Sequence, residues 1–362
     1  MLKRKNWLVA LTALMMLVLV LSGCSGSKSP QDTLQGAIKK SSDIKSYSMK
    51  GSLKVADLKL PEAVTADPDS SMALGILQNA ELSWTGAYRK DPMLMEINLQ
   101  IAIKGDLAMT FSLPIIMNEQ KMWIKVPNIP IFGQMGLPED IVGKFIEIDM
   151  KKLAEQQGTE MPAMDIGQSQ KLVNDLSAIV FKHIDEKTYL SKVSAKDAGI
   201  PDESKIKDVI QLHVTKDQVE PFIQTVVTKI APEVIDLLSK NEEYRKMLQL
   251  KQEDLDKAKQ ELDKTKDEDL AKSMEDFKKD VKSLDIVVNT GVNGDGYASY
   301  SDATIKAEID DNGQTGSGTL KVVSEMTDIN GDVKLMGEPK PEEIVPMDQL
   351  NQLGLDSLGG SL

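Results

Sequence analysis

The sequence offers few side chains whose type and spacing could carry out chemistry. It has one cysteine, Cys24, which excludes an intramolecular disulfide, a CxxC zinc site and a thioredoxin-type pair. Its two histidines, His183 and His213, are far apart in the sequence, and the HExxH, GxSxG and GxxxxGK[ST] signatures are absent. We therefore expect no enzymatic activity, no metal site and no cofactor. Both histidines are interpreted as structural or surface residues.

The segment before Cys24 has a pattern that is typical of export and attachment. Basic residues at positions 3–5 precede an apolar run at positions 7–21. This run is short for a membrane-spanning helix, which needs roughly 20 residues, whereas the order of segments is that of a secretory signal. The sequence Leu21-Ser22-Gly23-Cys24 closely resembles the lipobox of bacterial lipoproteins, in which the cysteine thiol is acylated and the peptide is cut before it.

The lipobox resemblance implies a lipid-anchored protein outside the cytoplasm. Residues 1–23 would be the signal peptide, Cys24 would carry a covalent diacylglyceryl group, and residues 24–30 would be a flexible tether. Two acyl chains give stable anchoring, so the expected place is the outer face of a Gram-positive cytoplasmic membrane. The alternatives are a plain signal peptide cleaved nearby and an uncleaved anchor.

Composition limits the partners and the kind of core. The formal charge is −13, which disfavours nucleic acid because an acidic surface repels phosphate. Aromatic residues make up 4% of the chain, while there are 19 methionines. The interior is therefore predicted to be mainly aliphatic and thioether.

Residues 93–115 give the clearest signal of a fold. Odd positions are apolar from Met93 to Ile103 and again from Leu107 to Ile115, on either side of the turn Lys104-Gly105-Asp106. Period-two alternation around a tight turn predicts an antiparallel hairpin with one buried face. Its apolar residues line either a packed core or a ligand cavity, for which flexible methionines are suited. The candidate cavity residues are Met95, Ile97, Leu99, Ile101, Met109, Phe111 and Leu113.

The elements that must position these residues lie on both sides of the hairpin. Helices are predicted at Thr33–Ser42, with Asp32 as N-cap, at Ser169–His183, and at Lys216–Lys240 with a kink near Pro232. A charged helical hairpin is predicted over 241–283, and Asn330-Gly331 predicts a β-hairpin into a strand at Asp332–Met336. The other predicted strands are Tyr47–Leu60, Ala80–Lys90, Lys121–Val126, Lys144–Asp149, Val209–Val214, Leu284–Thr290, Gly296–Ile309 and Gly316–Thr327.

This order of elements behind a lipobox resembles the superfamily of lipoprotein carriers typified by LolA and LppX, and most closely its uncharacterised Gram-positive relatives. The resemblance implies an α+β fold in which a curved antiparallel β-sheet forms a half-barrel covered by helices. It implies one such domain at residues 31–346, with a helical block at about 150–283 inserted between the strand groups, and a C-terminal tail at 347–362.

Two functions are compatible with these observations. The first is a binding lipoprotein that holds a lipid or acylated ligand in an apolar half-barrel. The second is a non-enzymatic structural or interaction lipoprotein of the cell envelope, with a filled core, that contacts envelope proteins through its charged helical hairpin.

Overall fold

The structure, a computed structural model, describes residues 28–61, 74–76, 78–104, 108–128, 141–156, 166–264, 274–275, 277–311 and 313–346. The predicted signal peptide, Cys24 and most of the predicted tether lie outside these residues, as does the predicted tail at 347–362.

Twelve strands in the described residues form one large, curved, unclosed sheet. They are β1 (Ser46–Lys59), β2 (Ala80–Lys90), β3 (Met93–Ile103), β4 (Met109–Met117), β5 (Lys121–Lys125), β6 (Phe145–Asp149), β7 (Leu190–Val193), β8 (Ile206–Thr215), β9 (Val281–Asn293), β10 (Ala298–Asp311), β11 (Gln314–Thr327) and β12 (Ile344–Pro346). Their order is β12-β6-β5-β4-β3-β2-β1-β11-β10-β9-β8-β7. Only the β12–β6 pair is parallel. The predicted α+β class and the predicted curved, mostly antiparallel sheet are confirmed.

The alternation in β3 and β4 sorts their side chains onto two faces, but the prediction of a single buried face was wrong: Ile101 and Met109 of the alternating apolar set are 44% and 45% exposed, because helices do not cover that part of the face. Leu99 pairs with Trp84 of β2 on one side and with Leu113 of β4 on the other, so the three share a face. Leu94 and Ile116 lie on the opposite face and are almost fully buried. We call the first the helix face, because helices pack on it, and the second the strap face, because the C-terminal segment crosses it.

The described helices surround the helix face at the β7–β9 end and form a small bundle beside it. A buried cluster of Tyr189, Val214 and Val219 joins a short helix, a strand and a longer helix there. The helices are α1 (Pro30–Ser41), α2 (Met150–Gln156), α3 (Ile166–His183), α4 (Glu186–Tyr189), α5 (Lys216–Thr225), α6 (Ala231–Lys240), α7 (Glu242–Met247) and α8 (Gln252–Lys264).

The predicted interruption near Pro232 takes the form of a π-helical segment, Val226–Ile230, between α5 and α6. Proline has no backbone N–H and its ring crowds the carbonyl four residues earlier, so a regular α-helical bond is lost at this point. The Ala231 N–H bonds to the Val226 carbonyl, five residues back, which keeps the chain helical.

The N-cap of α1 is Ser29, so the prediction of Asp32 was wrong. The Ser29 hydroxyl accepts a hydrogen bond from the Asp32 N–H at 3.1 Å. Pro30 fixes the first helical φ and needs no hydrogen-bond acceptor, which places the helix start before Asp32. Asp32 then lies in the first turn, where its charge favours the helix dipole.

Residues 328–346 form a segment that we call the C-terminal strap, and this corrects the predicted hairpin at Asn330-Gly331. Strand β11 already has β1 and β10 as neighbours, so no free edge is left for another strand. Asn330 instead binds the start of β1: its N–H donates to the Ser46 carbonyl and its Oδ1 accepts from the Lys45 N–H. The strap then crosses the strap face and ends in β12, beside β6.

The charged helical hairpin is not confirmed. Helices α7 and α8 occupy its first arm, but residues 265–273 and 276 lie outside the described part. Val281, which lies within the predicted helical hairpin, belongs to β9, and the predicted strand at Leu284–Thr290 is part of the same strand. Helix α8 also packs on its neighbours rather than projecting freely, since Leu255 is buried against Leu172 and Leu238.

Candidate functional site

The helix face is a continuous apolar surface, because cross-strand neighbours on it are apolar over several strands. One row crosses the sheet from β4 to β8. It consists of Phe111, Ile101, Leu82, Leu53, Val322, Ala303, Val288 and Leu212. Helix α5 covers the β8–β9 end of this surface through Val219, Phe222 and Ile223.

A cavity of about 550 Å³ lies where α1 and α3 approach the helix face near the β2–β3 turn. We call it the methionine pocket, and its volume is in the range of small-molecule sites. Its floor consists of Met93, Met95, Met117, Met326, Tyr47 and Tyr88, and its other lining residues are Ser41, Ser42, Ile44, Lys90, Gly167, Gln170, Lys171 and Asn174.

Helix α3 closes the methionine pocket with one of its faces. Gly167, Gln170, Lys171 and Asn174 have the spacing i, i+3, i+4, i+7, which places them on the same side of a helix. The Gln170 side-chain amide donates to the Ser41 hydroxyl at 2.7 Å, which joins α3 to the end of α1. The pocket is therefore positioned by two helices that are bonded to each other above the sheet.

Two residues that line this pocket each have a buried polar atom without a hydrogen-bond partner in the described part of the chain. The atoms are Tyr88 Oη and Asn174 Oδ1. Tyr88 is only 8% exposed. An unpaired buried polar group costs about 1–3 kcal/mol, so the wall of the pocket near α3 is not packed for maximum stability.

The pocket also fixes the protonation state of its tyrosines. The rings of Tyr47 and Tyr88 lie 5.3 Å apart and are inclined by 40°. Burial raises the pKa of both hydroxyl groups, and Tyr47 adds to the shift at Tyr88. Both therefore stay neutral phenols at physiological pH, so that Tyr88 can donate a hydrogen bond.

Away from the pocket, the helix face becomes exposed to solvent. Ile101 and Met109 are 44% and 45% exposed, and Ile305 and Ile309 are 36% and 49% exposed. These four side chains belong to the apolar surface that continues from the pocket along the strands. Large aliphatic groups that stay in water on one sheet face indicate an interaction site.

Of the seven predicted cavity residues, only Met95 lines the methionine pocket. Leu99, Phe111 and Leu113 are half-buried on the same sheet face, where Ile101 and Met109 are exposed. Ile97 shares this face and also borders a second cavity, of about 680 Å³, which lies under the C-terminal strap.

The sequence analysis missed the polar residues of the pocket. Tyr88 lies on the apolar side of a predicted strand, and Asn174 interrupts an apolar helical run. These two features are the only signals in the sequence. The two residues line the same pocket because of the way α3 docks on the sheet.

The remaining candidates for chemistry do not assemble into a site. His183 bonds to Glu233 at 2.9 Å, and His213 bonds to Asp285 at 2.6 Å, in different parts of the fold. No group of metal-ligating side chains occurs among the described residues. Nor does any helix of the described ranges have the length and apolar character to cross a membrane. Cys24 lies outside those ranges.

Comparison with protein-family models, curated proteins and solved structures gives no match for this chain. The helix face and the methionine pocket are therefore the features from which a function can be inferred.

Proposed function

We propose that this chain is a binding lipoprotein that holds a lipid or acylated ligand against the helix face of a half-barrel. One observation carries the proposal: the apolar helix face runs along β3 and β4 from the methionine pocket to exposed apolar side chains. An acyl chain gains about 0.8 kcal/mol for each methylene that leaves water, so such a surface favours it strongly. Methionine side chains adapt to chains of different shape.

The proposed place of action follows from the first residues of the sequence. A diacylglyceryl group on Cys24 would hold the protein at the outer face of the cytoplasmic membrane, where acylated molecules are present. Labelling cells with an alkyne-tagged fatty acid tests this: Cys24→Ser should abolish incorporation into the protein. Incorporation that persists in this variant would contradict the anchor.

Ligand retention tests the binding proposal. The chain from Lys28 onward is purified without detergent, and its organic extract is analysed by mass spectrometry. We expect a bound lipid in stoichiometric amount, because the helix face would otherwise expose a large apolar surface. A clean extract, with no uptake from added lipid vesicles, would contradict the proposal.

Matched variants locate the ligand on the helix face. Leu99→Asn and Phe111→Asn place amides on that face and should abolish lipid retention in a folded protein. Gln100→Asn and Thr110→Asn change the neighbouring exposed residues on the opposite face and should retain lipid. Equal retention in all four folded variants would exclude this surface.

A second candidate function is protein interaction through the predicted charged helical hairpin, of which α8 would form one arm. Leu255 of α8 is buried, while Glu253, Asp256 and Lys257 are exposed to solvent. Replacing these three by alanine should abolish crosslinking to an envelope protein, whereas Lys306→Ala on β10 should not. Crosslinking that survives the triple change would contradict this function.

A further inference from the structure

A further cavity, of about 540 Å³, lies between helix α1 and the strands β7–β9. We call it the lysine pocket, because its charged lining residues are four lysines and two aspartates. They are Lys28, Lys40, Lys192, Lys207, Asp208 and Asp295. The whole chain has a formal charge of −13, so a lining with an excess of positive charge differs from the average surface of the protein.

Two of these lysines have contacts within the fold. The Lys40 Nζ donates to the Asp295 carbonyl oxygen and lies 4.8 Å from the centre of the Tyr297 ring, and both contacts fix it in the pocket wall. The Lys192 Nζ lies 3.5 Å from Asp208 Oδ1. Because an ion pair that water reaches is weak, Lys192 can exchange this carboxylate for another anion.

The other two lysines carry charge that the fold does not neutralise. Lys28 and Lys207 are exposed, and neither has a hydrogen-bond or ion-pair partner among the described residues. The Lys28 amine lies close to α1, since a Cβ on Gly36 would be 3.9 Å from its Nζ. Charged amines that converge on one cavity are suited to a phosphate group, which accepts charge-assisted hydrogen bonds.

The position of Lys28 in the chain indicates where this phosphate group comes from. Lys28 directly precedes Ser29, the N-cap of α1, and Cys24 is four residues before Lys28. A chain spans at most about 3.6 Å per residue, so the Cα atoms of Cys24 and Lys28 are no more than about 14 Å apart. A diacylglyceryl group on Cys24 would therefore keep the lysine pocket at the membrane surface, among the phosphates of the lipids.

We propose that the lysine pocket docks on the anionic phospholipid head groups of the membrane that holds the anchor. Attraction of this pocket and repulsion of the acidic remainder of the surface together favour one orientation of the protein on the membrane. The inference rests on the proposed anchor at Cys24, and it adds the class of lipid and the face of the protein that contacts it.

This orientation has a consequence for the binding surface. Helix α1 lines both pockets, with Lys40 in the lysine pocket and Ser41 in the methionine pocket. Docking through the lysine pocket would place the methionine pocket close to the bilayer, which is the source of the proposed lipid ligand.

Lysine labelling on vesicles tests the docking face. The full chain, expressed so that lipoprotein processing can occur, is mixed with vesicles of phosphatidylcholine or of equal parts phosphatidylcholine and phosphatidylglycerol, and the vesicles are floated. An N-hydroxysuccinimide ester then labels exposed amines, and peptide mass spectrometry gives the rate at each lysine. We expect Lys28, Lys192 and Lys207 to react about fivefold more slowly on the anionic vesicles, which is the factor that about 1 kcal/mol per lysine gives. Raising the salt to about 1 M should restore the rates, because the Debye length falls to about 3 Å.

Lys59 and Lys306 are the internal controls, because both are exposed at the far end of the sheet. Val292 of the lysine pocket pairs with Ala298, and Lys306 is eight residues further along β10. This is about 26 Å at about 3.3 Å per residue. It exceeds the Debye length of about 8 Å at physiological salt, so the controls should react equally on both kinds of vesicle.

The outcomes separate the docking face from the anchor. Slower labelling of the pocket lysines on anionic vesicles supports the inference. Equal labelling of a chain that floats with both kinds of vesicle would overturn the inference and leave the anchor standing. A chain that carries no acyl group and floats with neither would overturn both. Equal protection by dissolved glycerol 1-phosphate on phosphatidylcholine vesicles would overturn membrane docking in favour of a soluble anion.

Charge reversal gives a second test with a matched control. The double variant Lys192→Glu, Lys207→Glu should remove the protection of Lys28 on anionic vesicles, because the pocket loses its positive excess. The double variant Lys59→Glu, Lys306→Glu has the same net charge and should keep that protection. Protection of Lys28 that persists in the pocket variant would show that proximity to the anchor alone causes it, and would overturn the inference.

Discussion

At the residue scale, Tyr244 is the best-anchored polar side chain of the helical bundle. It is 1% exposed, and its hydroxyl donates to Asp175 Oδ2 at 2.5 Å. Tyr244→Phe should lower the free energy of unfolding by about 1–3 kcal/mol, because the Asp175 carboxylate loses its donor. Urea denaturation measures the loss. Tyr189→Phe, whose bond to the Gln218 carbonyl is long at 3.4 Å, should cost less.

The same tyrosine predicts that the free energy of unfolding falls at high pH. Burial, followed by the bond to Asp175, raises the pKa of Tyr244 to about 12. The native state therefore holds this proton more tightly than the unfolded chain, in which the pKa is about 10. The stabilisation is complete below pH 10 and is lost as pH rises towards 12. Unfolding free energies measured across this range should fall less steeply in Tyr244→Phe, and identical slopes would contradict the assignment.

Gly51 provides a test of packing on the helix face. A Cβ at this position would overlap the Trp84 ring and lie 2.6 Å from the Val323 carbonyl oxygen. Gly51→Ala should therefore destabilise the protein by about 1–3 kcal/mol through overpacking. Gly36→Ala on the exposed side of α1 is the control and should stabilise by up to about 1 kcal/mol. The melting temperatures of both variants distinguish the cost of overpacking from the gain that follows when a flexible glycine is replaced.

Single residues could be predicted from the sequence only where their role follows from local pattern. Met95 lies in the pocket because it belongs to the alternating set of β3. Tyr88 and Asn174 could not be paired in advance, since 86 positions of sequence do not determine how a helix docks on a strand. The N-cap of α1 was misplaced for a local reason: Pro30 starts the helix before Asp32.

At the element scale, the C-terminal strap is held by one carboxylate. Glu96 is 8% exposed, and its two oxygens accept from the Met336 and Gly337 N–H groups at 2.8 and 2.7 Å. Leu335 and Ile344 of the strap pack against Trp123 and its neighbours on the same face. The strap is therefore attached to the sheet at these points, although much of its length is exposed, including Met336 at 77%.

Glu96→Gln should loosen the strap, because an amide can accept only one of the two hydrogen bonds. Hydrogen exchange of the Met336 and Gly337 amides should become faster by about tenfold or more, as for the loss of one bond to a charged group. Glu338→Gln is the control, because its exposed Oε1 accepts one bond from Asn118 and an amide oxygen can still do so. Similar exchange rates in both variants would show that the strap is held by its apolar contacts alone.

Elements with a long uniform period were predicted well from sequence, and those defined by tertiary contacts were not. The predicted bounds of β2 agree with the structure, and β3 has the residues that its alternation indicated. Val281 and Leu284 are three residues apart, which fits one face of a helix, and only the pairing with β10, with a register shift next to Val281, places Val281 in β9. The turn at Asn330-Gly331 was recognised, but the occupied edges of β11 exclude a hairpin.

At the scale of the whole molecule, most of the sheet consists of two groups of strands joined at the β1–β11 seam, and β12 makes a second long-range pairing with β6 at the edge. Strands β1–β6 are neighbours in sequence order, β7–β11 follow in reverse order, and β1 pairs with β11 between them. Alternation divides the side chains of each strand between two faces, but it contains no information about which strand lies beside β1. The class of sheet could therefore be predicted, whereas its order could not.

The position of a residue relative to the β1–β11 seam predicts whether its mutation changes mainly the folding rate or mainly the unfolding rate. Sequence-local hairpins form before pairings between distant strands, because closing a long loop costs entropy. Val322→Ala at the seam should mainly accelerate unfolding, whereas Leu99→Ala within the β2–β4 hairpins should mainly slow folding. Stopped-flow chevron plots of both variants measure this. If Val322→Ala slowed folding more than Leu99→Ala does, the proposed order, in which hairpins form before the seam, would be wrong.

The β1–β11 seam also has a consequence for the time course of biosynthesis. Strand β1 is among the first elements to be made, yet its second neighbour ends only at Thr327. At about 5–20 residues per second, the ribosome needs on the order of tens of seconds to reach that point. For this interval one side of β1 is an open edge with an apolar face, which is a substrate for chaperones and an aggregation risk. The seam thus leaves one edge of β1 without a partner strand until β11 has been made.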